Sequence, residues 1–213
     1  MIEVEGTRLI LVRHGLTRSN EEYRLQGSGS DSGLGPRGKI QAEGIASRLT
    51  SEMAEAIYSS DLTRAMETAI VIAAPHGLTV VPEPRLREMN LGLWDGMLEK
   101  DVQERYALEL SRWQTDMMKE TPPGGESFGQ LAERVEKAWK EIAAQHPQKA
   151  VVLIGHYFSL QAILCTALDL KPSDHMPFFL SPGSISELRV DEGKVILYLL
   201  NDTSHLKEGS CNY

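Results

Sequence analysis

Two histidines directly follow apolar runs of the chain, and one of them stands beside an arginine. Arg13-His14-Gly15 comes after Leu9-Ile10-Leu11-Val12, and Gly155-His156 comes after Val151-Val152-Leu153-Ile154. A neutral imidazole nitrogen can attack phosphorus, and a guanidinium offers a planar fork that matches phosphoryl oxygens. Adjacent strand side chains point to opposite faces, so Arg13 and His14 share one pocket only if the chain turns there, which Gly15 permits. The alternative is a surface arginine next to a hydrogen-bonded histidine at a strand end.

The same turn predicts an anion site made by the backbone. Gly15 has no Cβ to keep a phosphoryl group away, and a turning loop exposes backbone N–H groups that can bind phosphoryl oxygens. We therefore expect free N–H groups after the first strand.

A second arginine lies at an unusual place in a predicted helix. Arg64 falls in the first turn of a helix that Ser60 can cap, where the positive end of the dipole disfavours a cation by roughly 0.3–1 kcal/mol. An anion bound at this position would make the placement of the arginine favourable. The simpler alternative is an ion pair with Asp61 or Glu67, both within one turn.

The leading candidate for a proton donor is Glu88. It lies in the stretch 86–92, which mixes apolar residues with turn formers and is not a solvated charge run. Glu83, Glu99 and Glu126 are rivals that spacing alone does not exclude, although Glu126 also suits a helix start electrostatically.

The remaining histidines and the cysteines do not suggest a metal site or a cofactor. Solvent-facing or capping positions near prolines, helix ends or the polar tail are expected for His76, His146, His175 and His205. No cysteine pair or zinc-type histidine spacing occurs, and two arginines would oppose a dication between His14 and His156. We expect neither metal nor cofactor.

The elements that must position these residues alternate between strands and helices. Pro36 opens a helix that continues through Leu49, apolar residues recur at helical spacing from Leu62 to Ala73, and Ser127 with Gln130 forms a capping box for a third helix. Segments 185–190 and 195–200 flank a glycine-containing turn and predict a hairpin. The two apolar runs suit strands covered on both faces.

This order predicts an α/β fold. It should be a three-layer α/β/α sandwich with a mostly parallel central sheet and a C-terminal antiparallel hairpin, in one domain over residues 1–213. Ligands of such sheets sit beyond the carboxyl ends of the strands, which places His14 and His156 at one site.

Charge and cysteine usage restrict the partners. The chain has 22 Lys and Arg against 30 Asp and Glu, a net charge of −8, which argues against nucleic acid or an anionic membrane as a partner. No apolar run is long enough to cross a bilayer and the first residues carry acids, so we expect a cytoplasmic location. A disulfide between Cys165 and Cys211 is not expected.

Six segments resemble, in order, motifs of the histidine phosphatase superfamily, also called the phosphoglycerate mutase-like family. They are Leu11-Val12-Arg13-His14-Gly15-Leu16-Thr17 with Asn20, Tyr58-Ser59-Ser60-Asp61-Leu62-Thr63-Arg64-Ala65 with Thr68-Ala69, Leu86-Arg87-Glu88 with Gly92, Trp94 and Gly96, Gly124-Gly125-Glu126-Ser127, Ile154-Gly155-His156, and Asn201-Asp202-Thr203-Ser204-His205-Leu206. The resemblance spans nearly the whole chain. The segment 91–96 resembles the phosphatase branch, which includes alpha-ribazole phosphatases and broad-specificity phosphatases.

The resemblance implies a role for each matching residue. His14 would be the nucleophile and Glu88 the proton donor. Arg13, Arg64 and His156 would surround the phosphoryl group, and contacts to phosphate or substrate are implied for Asn20 and Gln26.

Three departures from the family pattern bear on the pocket. Leu16 replaces a frequent Glu, Gly33-Leu34-Gly35 replaces Pro-Leu-Thr, and Tyr157-Phe158 follows His156 where Gly is common. None touches the catalytic set. The two aromatic residues predict a narrower and more apolar pocket.

The expected function is metal-independent hydrolysis of a small phosphomonoester through a phosphohistidine, by a monomer or a homodimer that acts on a small phosphorylated metabolite. One alternative is a phosphoglycerate mutase, which must protect its phosphohistidine from water. Another is a phosphate-binding scaffold without turnover, although binding alone does not require such a convergence of groups.

Overall fold

Six strands form one mixed sheet in the part of the chain that the structure describes. The structure, a computed structural model, describes residues 6–170 and 178–206 of the chain. The strand order is β3-β2-β4-β1-β5-β6, and β1 to β4 are parallel, while β5 runs antiparallel to β1 and β6 antiparallel to β5. The bounds are Thr7–Arg13 for β1, Ala54–Ser59 for β2, Val80–Pro82 for β3, Ala150–Gly155 for β4, Ile185–Asp191 for β5 and Lys194–Asp202 for β6.

Helices cover both faces of this sheet. They are α1 Arg18–Glu21, α2 Pro36–Leu49, α3 Thr63–Ala73, α4 Glu99–Arg105, α5 Ala107–Thr115, α6 Phe128–Gln145 and α7 Tyr157–Ala167, with short 3₁₀ turns at Ala74–His76, Pro84–Leu86 and Gly92–Trp94. The predicted bounds of α2, the capping box at Ser127 and the C-terminal hairpin are confirmed. The layered α/β fold with a mostly parallel sheet is therefore confirmed.

The two central strands bury side chains on both faces, as their uninterrupted apolar runs predict. Leu9 and Leu11 of β1 pack in a core with α6 and α7, whereas Ile10 and Val12 pack in a second core with α2 and α3. Residues of β4 alternate in the same way. Complete burial of such a side chain contributes about 1.5–3 kcal/mol, so these strands form a rigid support for the histidines that follow them.

The start of α3 differs from the prediction that Ser60 caps it. The helix begins at Thr63, and its backbone N–H and hydroxyl both donate to the carboxylate of Asp31, at 2.6 and 2.8 Å. Ser60 Oγ accepts the backbone N–H of Leu62, at 3.3 Å, which precedes the first residue of the helix. The cap comes from a residue 32 positions away, which no local pattern reveals.

The loop after β1 and the start of α2 approach so closely that only glycine fits. A Cβ on Gly15 would lie 2.5 Å from the Gly38 carbonyl oxygen, and a Cβ on Gly38 would lie 2.0 Å from the Leu16 carbonyl oxygen. Gly15 therefore serves close packing of α2 against the loop that carries His14.

We expect Gly38→Ala to destabilise the protein, although alanine is usually the better helix residue. The added methyl group must displace the Leu16 carbonyl, so the free energy of unfolding should fall by about 1–3 kcal/mol in urea titrations. Ser47→Ala, on the exposed side of the same helix, is the control and should change stability by less than about 0.5 kcal/mol. Equal stability of both variants would contradict the close contact.

Candidate active site

A cavity of about 310 Å³ opens at the carboxyl ends of β1 and β4. Five of the predicted site residues line it, namely Arg13, His14, Asn20, Gln26 and Glu88, together with Tyr23, Arg24, Leu25, Leu91, Glu99, Tyr157, Phe158 and Phe179. A larger cavity of about 590 Å³ lies at the opposite end of the sheet, but none of its described lining residues is a histidine or an arginine. The smaller cavity is therefore the candidate site.

The His14 ring is oriented by the backbone of its own loop. Its Nδ1 lies 2.8 Å from the Gly15 carbonyl oxygen, which can only accept, so Nδ1 carries the proton and Nε2 keeps a free lone pair. The side chain is buried, and burial together with the charges of Arg64 and Arg13 holds the pKa of His14 well below its ordinary value. The imidazole is thus neutral and prepared for attack by Nε2.

The backbone N–H groups after β1 are engaged inside the protein, so the prediction that they are free is wrong. Gly15 N–H donates to Thr68 Oγ1 at 3.2 Å, Leu16 N–H to Gln41 Oε1 at 2.7 Å, and Thr17 N–H to Asn20 Oδ1 at 3.1 Å. Thr68 and Gln41 come from helices α3 and α2, and their spacing from His14 gives no signal. Side chains must therefore supply most contacts to a phosphoryl group.

His156 and Arg64 are fully buried next to His14 and do not line the cavity. The rings of His14 and His156 have centroids 5.0 Å apart. Arg64 Nε–H donates to His156 Nδ1 at 3.1 Å, so the proton of His156 lies on Nε2 and is donated to Ser60 Oγ at 2.8 Å. Burial, then the charge of Arg64, holds the pKa of His156 well below its usual value, which keeps this imidazole neutral.

Arg64 does not form the ion pair offered as the simple alternative. Asp61 pairs with Arg87, and Glu67 accepts the backbone N–H of Leu34. The guanidinium instead donates to the carbonyl oxygens of Ser30 at 2.9 Å and Gly27 at 3.0 Å. Burial lowers the pKa of Arg64 to about 10, so it stays a cation at neutral pH.

The other cation, Arg13, reaches the cavity from the end of β1. Its Nη1 donates to the Leu180 carbonyl oxygen at 2.6 Å, and its guanidinium carbon lies 5.2 Å from the centre of the Tyr157 ring. These contacts hold one edge of the guanidinium fork beside His14. The site thus places two cations around one imidazole, within a chain of net charge −8.

Glu88 is the buried acid of the cavity. Its Oε1 accepts the N–H groups of Met89 at 2.8 Å and Phe158 at 3.1 Å, the latter in the first turn of α7. Burial raises the pKa of this carboxyl, against those backbone bonds and the charges of Arg64 and Arg13. A proton is therefore held on Glu88 to a higher pH than on an exposed glutamate.

The rival carboxylates serve other contacts. Glu83 caps the 3₁₀ turn at Pro84–Leu86 and pairs with Arg85, and Glu126 pairs with Arg134. Glu99 lines the same cavity but is exposed. Among these four, only Glu88 is buried on the cavity wall.

The two predicted polar contacts, Asn20 and Gln26, are fixed by Thr17. Its hydroxyl lies 3.0 Å from Asn20 Oδ1 and 2.8 Å from Gln26 Oε1, and Gln26 Nε2 donates to Ser32 Oγ at 2.7 Å. Both amides are thereby oriented on the cavity wall. Thr17 was not singled out from the sequence, although its capping-box spacing to Asn20 is a readable signal.

The three departures from the family pattern have different consequences. Leu16 is buried in the fold away from the cavity, and Gly35 is the N-cap residue of α2. Tyr157 and Phe158 do line the cavity, with their rings 5.2 Å apart. The apolar wall expected from these two residues is therefore present.

Several other predictions concern metals, membranes and the remaining histidines. Within residues 6–170 and 178–206, no group of three or more His, Cys, Asp or Glu side chains suits a metal ion, and no helix is long and apolar enough to cross a membrane. His146 bonds to Tyr58 and His205 to the Gly183 carbonyl, while Cys165 is buried as a free thiol. The predictions for His175 and Cys211 lie outside the described residues.

A neutral imidazole with a free Nε2, two neighbouring guanidinium groups and a buried carboxyl with a raised pKa together have the chemistry that phosphoryl transfer to a histidine requires. Comparison with known proteins agrees with this class. The chain belongs to the histidine phosphatase superfamily (branch 1), whose family model matches residues 9–203.

Curated relatives cover nearly the whole chain. Phosphoserine phosphatase 1 of Hydrogenobacter thermophilus is 35% identical and covers 94% of this chain and 95% of its own length. Metal-independent phosphoserine phosphatase of Arabidopsis thaliana is 36% identical, with coverage of 96% and 85%. A probable phosphoglycerate mutase of Yersinia enterocolitica is 33% identical, with coverage of 93% and 94%.

Solved structures share the fold. Bacillus stearothermophilus YhfR superposes with a TM-score of 0.87 at 29% identity, covering 94% of this chain and all of its own. A mycobacterial glucosyl-3-phosphoglycerate phosphatase complexed with VO3 gives 0.84 at 31% identity, with coverage of 92% and 99%. The alpha-ribazole phosphatase of Shigella flexneri gives 0.82 at 27% identity, with coverage of 92% and 96%. The predicted class, a phosphatase of this superfamily with alpha-ribazole phosphatases among its neighbours, is confirmed.

Proposed function

We propose that this chain hydrolyses a small phosphomonoester without a metal ion, through a phosphohistidine formed at Nε2 of His14. The observation that carries the proposal is the state of the His14 ring, which is buried and neutral and donates a hydrogen bond from Nδ1–H to the Gly15 carbonyl oxygen. Nucleophilic catalysis by histidine needs this tautomer, because only an unprotonated Nε2 can attack.

The first half-reaction transfers the phosphoryl group to the enzyme. Nε2 of His14 forms a bond to phosphorus while the bond from phosphorus to the substrate oxygen breaks, and Glu88 gives its proton to the departing alkoxide. Arg13 and Arg64 stabilise the charge on the phosphoryl oxygens, and Asn20 and Gln26 contact the phosphate or the substrate. The Gly15 carbonyl supports the imidazole as it becomes positively charged.

The second half-reaction returns the enzyme to its starting state. Glu88, now ionised, takes a proton from water, whose oxygen attacks phosphorus as the bond to Nε2 breaks. Inorganic phosphate leaves, His14 is neutral again and Glu88 is again protonated. Neutral His156 contributes by accepting from Arg64 and so orienting its guanidinium.

The substrate is proposed to be a small phosphorylated metabolite whose alcohol part has apolar surface. Beyond the phosphoryl-binding groups, the wall of the cavity includes Leu25, Leu91, Tyr157, Phe158 and Phe179. The relatives named above include phosphoserine, glucosyl-3-phosphoglycerate and alpha-ribazole phosphatases, so the family leaves the alcohol part open. Cytoplasmic location and a monomeric or homodimeric state remain predictions.

The test measures phosphate release from a chromogenic aryl phosphate and a panel of phosphorylated metabolites, with a chelator present and His14→Ala as the blank. We expect hydrolysis that the chelator does not reduce. With 3-phosphoglycerate, release of phosphate supports a phosphatase, whereas formation of 2-phosphoglycerate supports the mutase alternative. Absence of turnover from acid to neutral pH would support a scaffold and contradict the proposal.

A further inference from the structure

A loop between α1 and α2 is wrapped around a carboxylate that no catalytic step uses. Both oxygens of Asp95 accept hydrogen bonds from this loop: Oδ1 from Gly27 N–H at 2.9 Å and Ser30 Oγ–H at 2.5 Å, Oδ2 from Gly29 N–H at 2.7 Å and Ser30 N–H at 3.1 Å. Four donors on one carboxylate define the loop conformation. Asp95 follows the 3₁₀ turn that ends at the buried Trp94, so the carboxylate starts from a rigid base.

Two glycines, Gly27 and Gly29, allow the loop to approach the Asp95 carboxylate closely. A Cβ on Gly29 would lie 2.7 Å from Asp95 Oδ2, and a Cβ on Gly27 would lie 2.9 Å from the same oxygen and 2.7 Å from the Met89 carbonyl oxygen. Any larger residue at either place would push the loop away from the carboxylate.

The opposite side of the same loop holds Arg64. Gly27 and Ser30 each donate an N–H to Asp95 and each offer the carbonyl oxygen to the Arg64 guanidinium, at 3.0 and 2.9 Å. A weaker contact runs from Nη2 to the Gln26 carbonyl at 3.5 Å. Two amino acids thus connect a carboxylate to a guanidinium through their own backbones, and hydrogen bonds in such a chain strengthen one another.

We propose that Asp95 is a positioning residue for phosphoryl transfer, which acts by holding the carbonyl groups of Gly27 and Ser30 so that they fix the plane of Arg64. The carbonyls and His156 use three of the five N–H donors of the guanidinium within normal distance. The second N–H of Nη1, and the second N–H of Nη2 with only its 3.5 Å contact to the Gln26 carbonyl, are the donors that Arg64 can offer to a phosphoryl oxygen. The direction of these two N–H groups depends on the loop conformation that Asp95 holds. The inference rests on the proposed function.

The test is a double-mutant cycle between Asp95 and Arg64, read in kcat and KM on one phosphomonoester. Asp95→Asn keeps the size of the side chain but turns an NH₂ group toward N–H donors. We expect kcat to fall about 10- to 100-fold, with a smaller change in KM. Asp95→Glu should restore part of the loss because it keeps the carboxylate.

The decisive arm repeats Asp95→Asn in an Arg64→Ala background. If Asp95 acts through Arg64, Asp95→Asn should lower kcat less than about threefold when Arg64 is already alanine. The proposal would be overturned if Asp95→Asn lowered kcat by the same factor in the wild-type enzyme and in Arg64→Ala. It would also be overturned if Asp95→Asn alone kept the wild-type kcat. An inactive wild-type enzyme would instead remove the proposed function, so the two failures are distinct.

Two further variants keep the test decisive. Asp61→Asn is the matched control, because Asp61 pairs with Arg87 outside the cavity, and it should leave kcat unchanged. If thermal unfolding shows that Asp95→Asn or Arg64→Ala does not fold, Ser30→Ala and Arg64→Lys replace them in the cycle. Ser30→Ala removes only the hydroxyl bond and should lower kcat about three- to tenfold when Arg64 is intact. If Ser30→Ala and Arg64→Lys had additive effects on the logarithm of kcat, the proposal would equally be overturned.

Discussion

His14→Ala should lower kcat for every phosphomonoester by roughly 10⁴- to 10⁶-fold, the range expected when a covalent nucleophile is removed. No other described residue on the cavity wall combines a neutral imidazole with a free Nε2. The measurement is steady-state phosphate release, with thermal unfolding as the check that the variant folds.

The matched control for this variant is His146→Ala. His146 bonds to the Tyr58 hydroxyl at 3.0 Å and does not line the cavity, so its removal should change kcat less than about twofold. If both variants kept wild-type turnover, the nucleophile would be a different group.

Glu88→Gln should lower kcat for alkyl phosphates by about 10²- to 10⁴-fold, because an alkoxide leaves slowly without a proton. The amide has the same shape but carries no acidic proton. With a nitrophenyl phosphate, whose leaving group needs no proton, the burst of nitrophenol from the first half-reaction should be almost unchanged. The two substrates, compared in one variant, therefore separate proton donation from simple disruption of the pocket.

The controls for Glu88 are the rival acids. Glu83→Gln should keep wild-type kcat, since Glu83 pairs with Arg85 away from the cavity. If Glu99→Gln showed the selective loss with alkyl phosphates and Glu88→Gln did not, the proton donor would be Glu99.

The pKa shifts also fix the direction of the pH profile. The free enzyme must hold His14 neutral, which requires a pH above its lowered pKa, and Glu88 protonated, which requires a pH below its raised pKa. The rate should therefore rise from acid pH as His14 loses its proton and fall toward alkaline pH as Glu88 ionises. For alkyl phosphates, Glu88→Gln should lose the alkaline fall.

The fold could be read from the sequence because its signals are local. Uninterrupted apolar runs before Arg13 and Gly155 identified the central strands, and Pro36 identified the first residue of α2. The end of a parallel strand is also where a ligand must bind, which brought His14 and His156 to one place.

The parts that could not be read depend on contacts between distant segments. Asp31 caps α3 from the loop before α2, and Thr68 and Gln41 occupy backbone N–H groups that the sequence suggested were free. Asp95 lies in a recognised motif, but its four bonds to the loop 27–30 appear only in three dimensions. The sequence indicated Arg64 as a candidate, but most of its hydrogen-bond partners are carbonyl groups, which every residue carries and no sequence pattern distinguishes.

The most direct test of the account is rapid-quench mass spectrometry of the enzyme during turnover of a phosphomonoester, with the digest kept at neutral to alkaline pH. We expect a phosphoryl group on His14 that appears within one turnover, decays as inorganic phosphate is released, and is absent from His14→Ala. Turnover at the wild-type rate with no phosphate on His14 at any time would contradict the account.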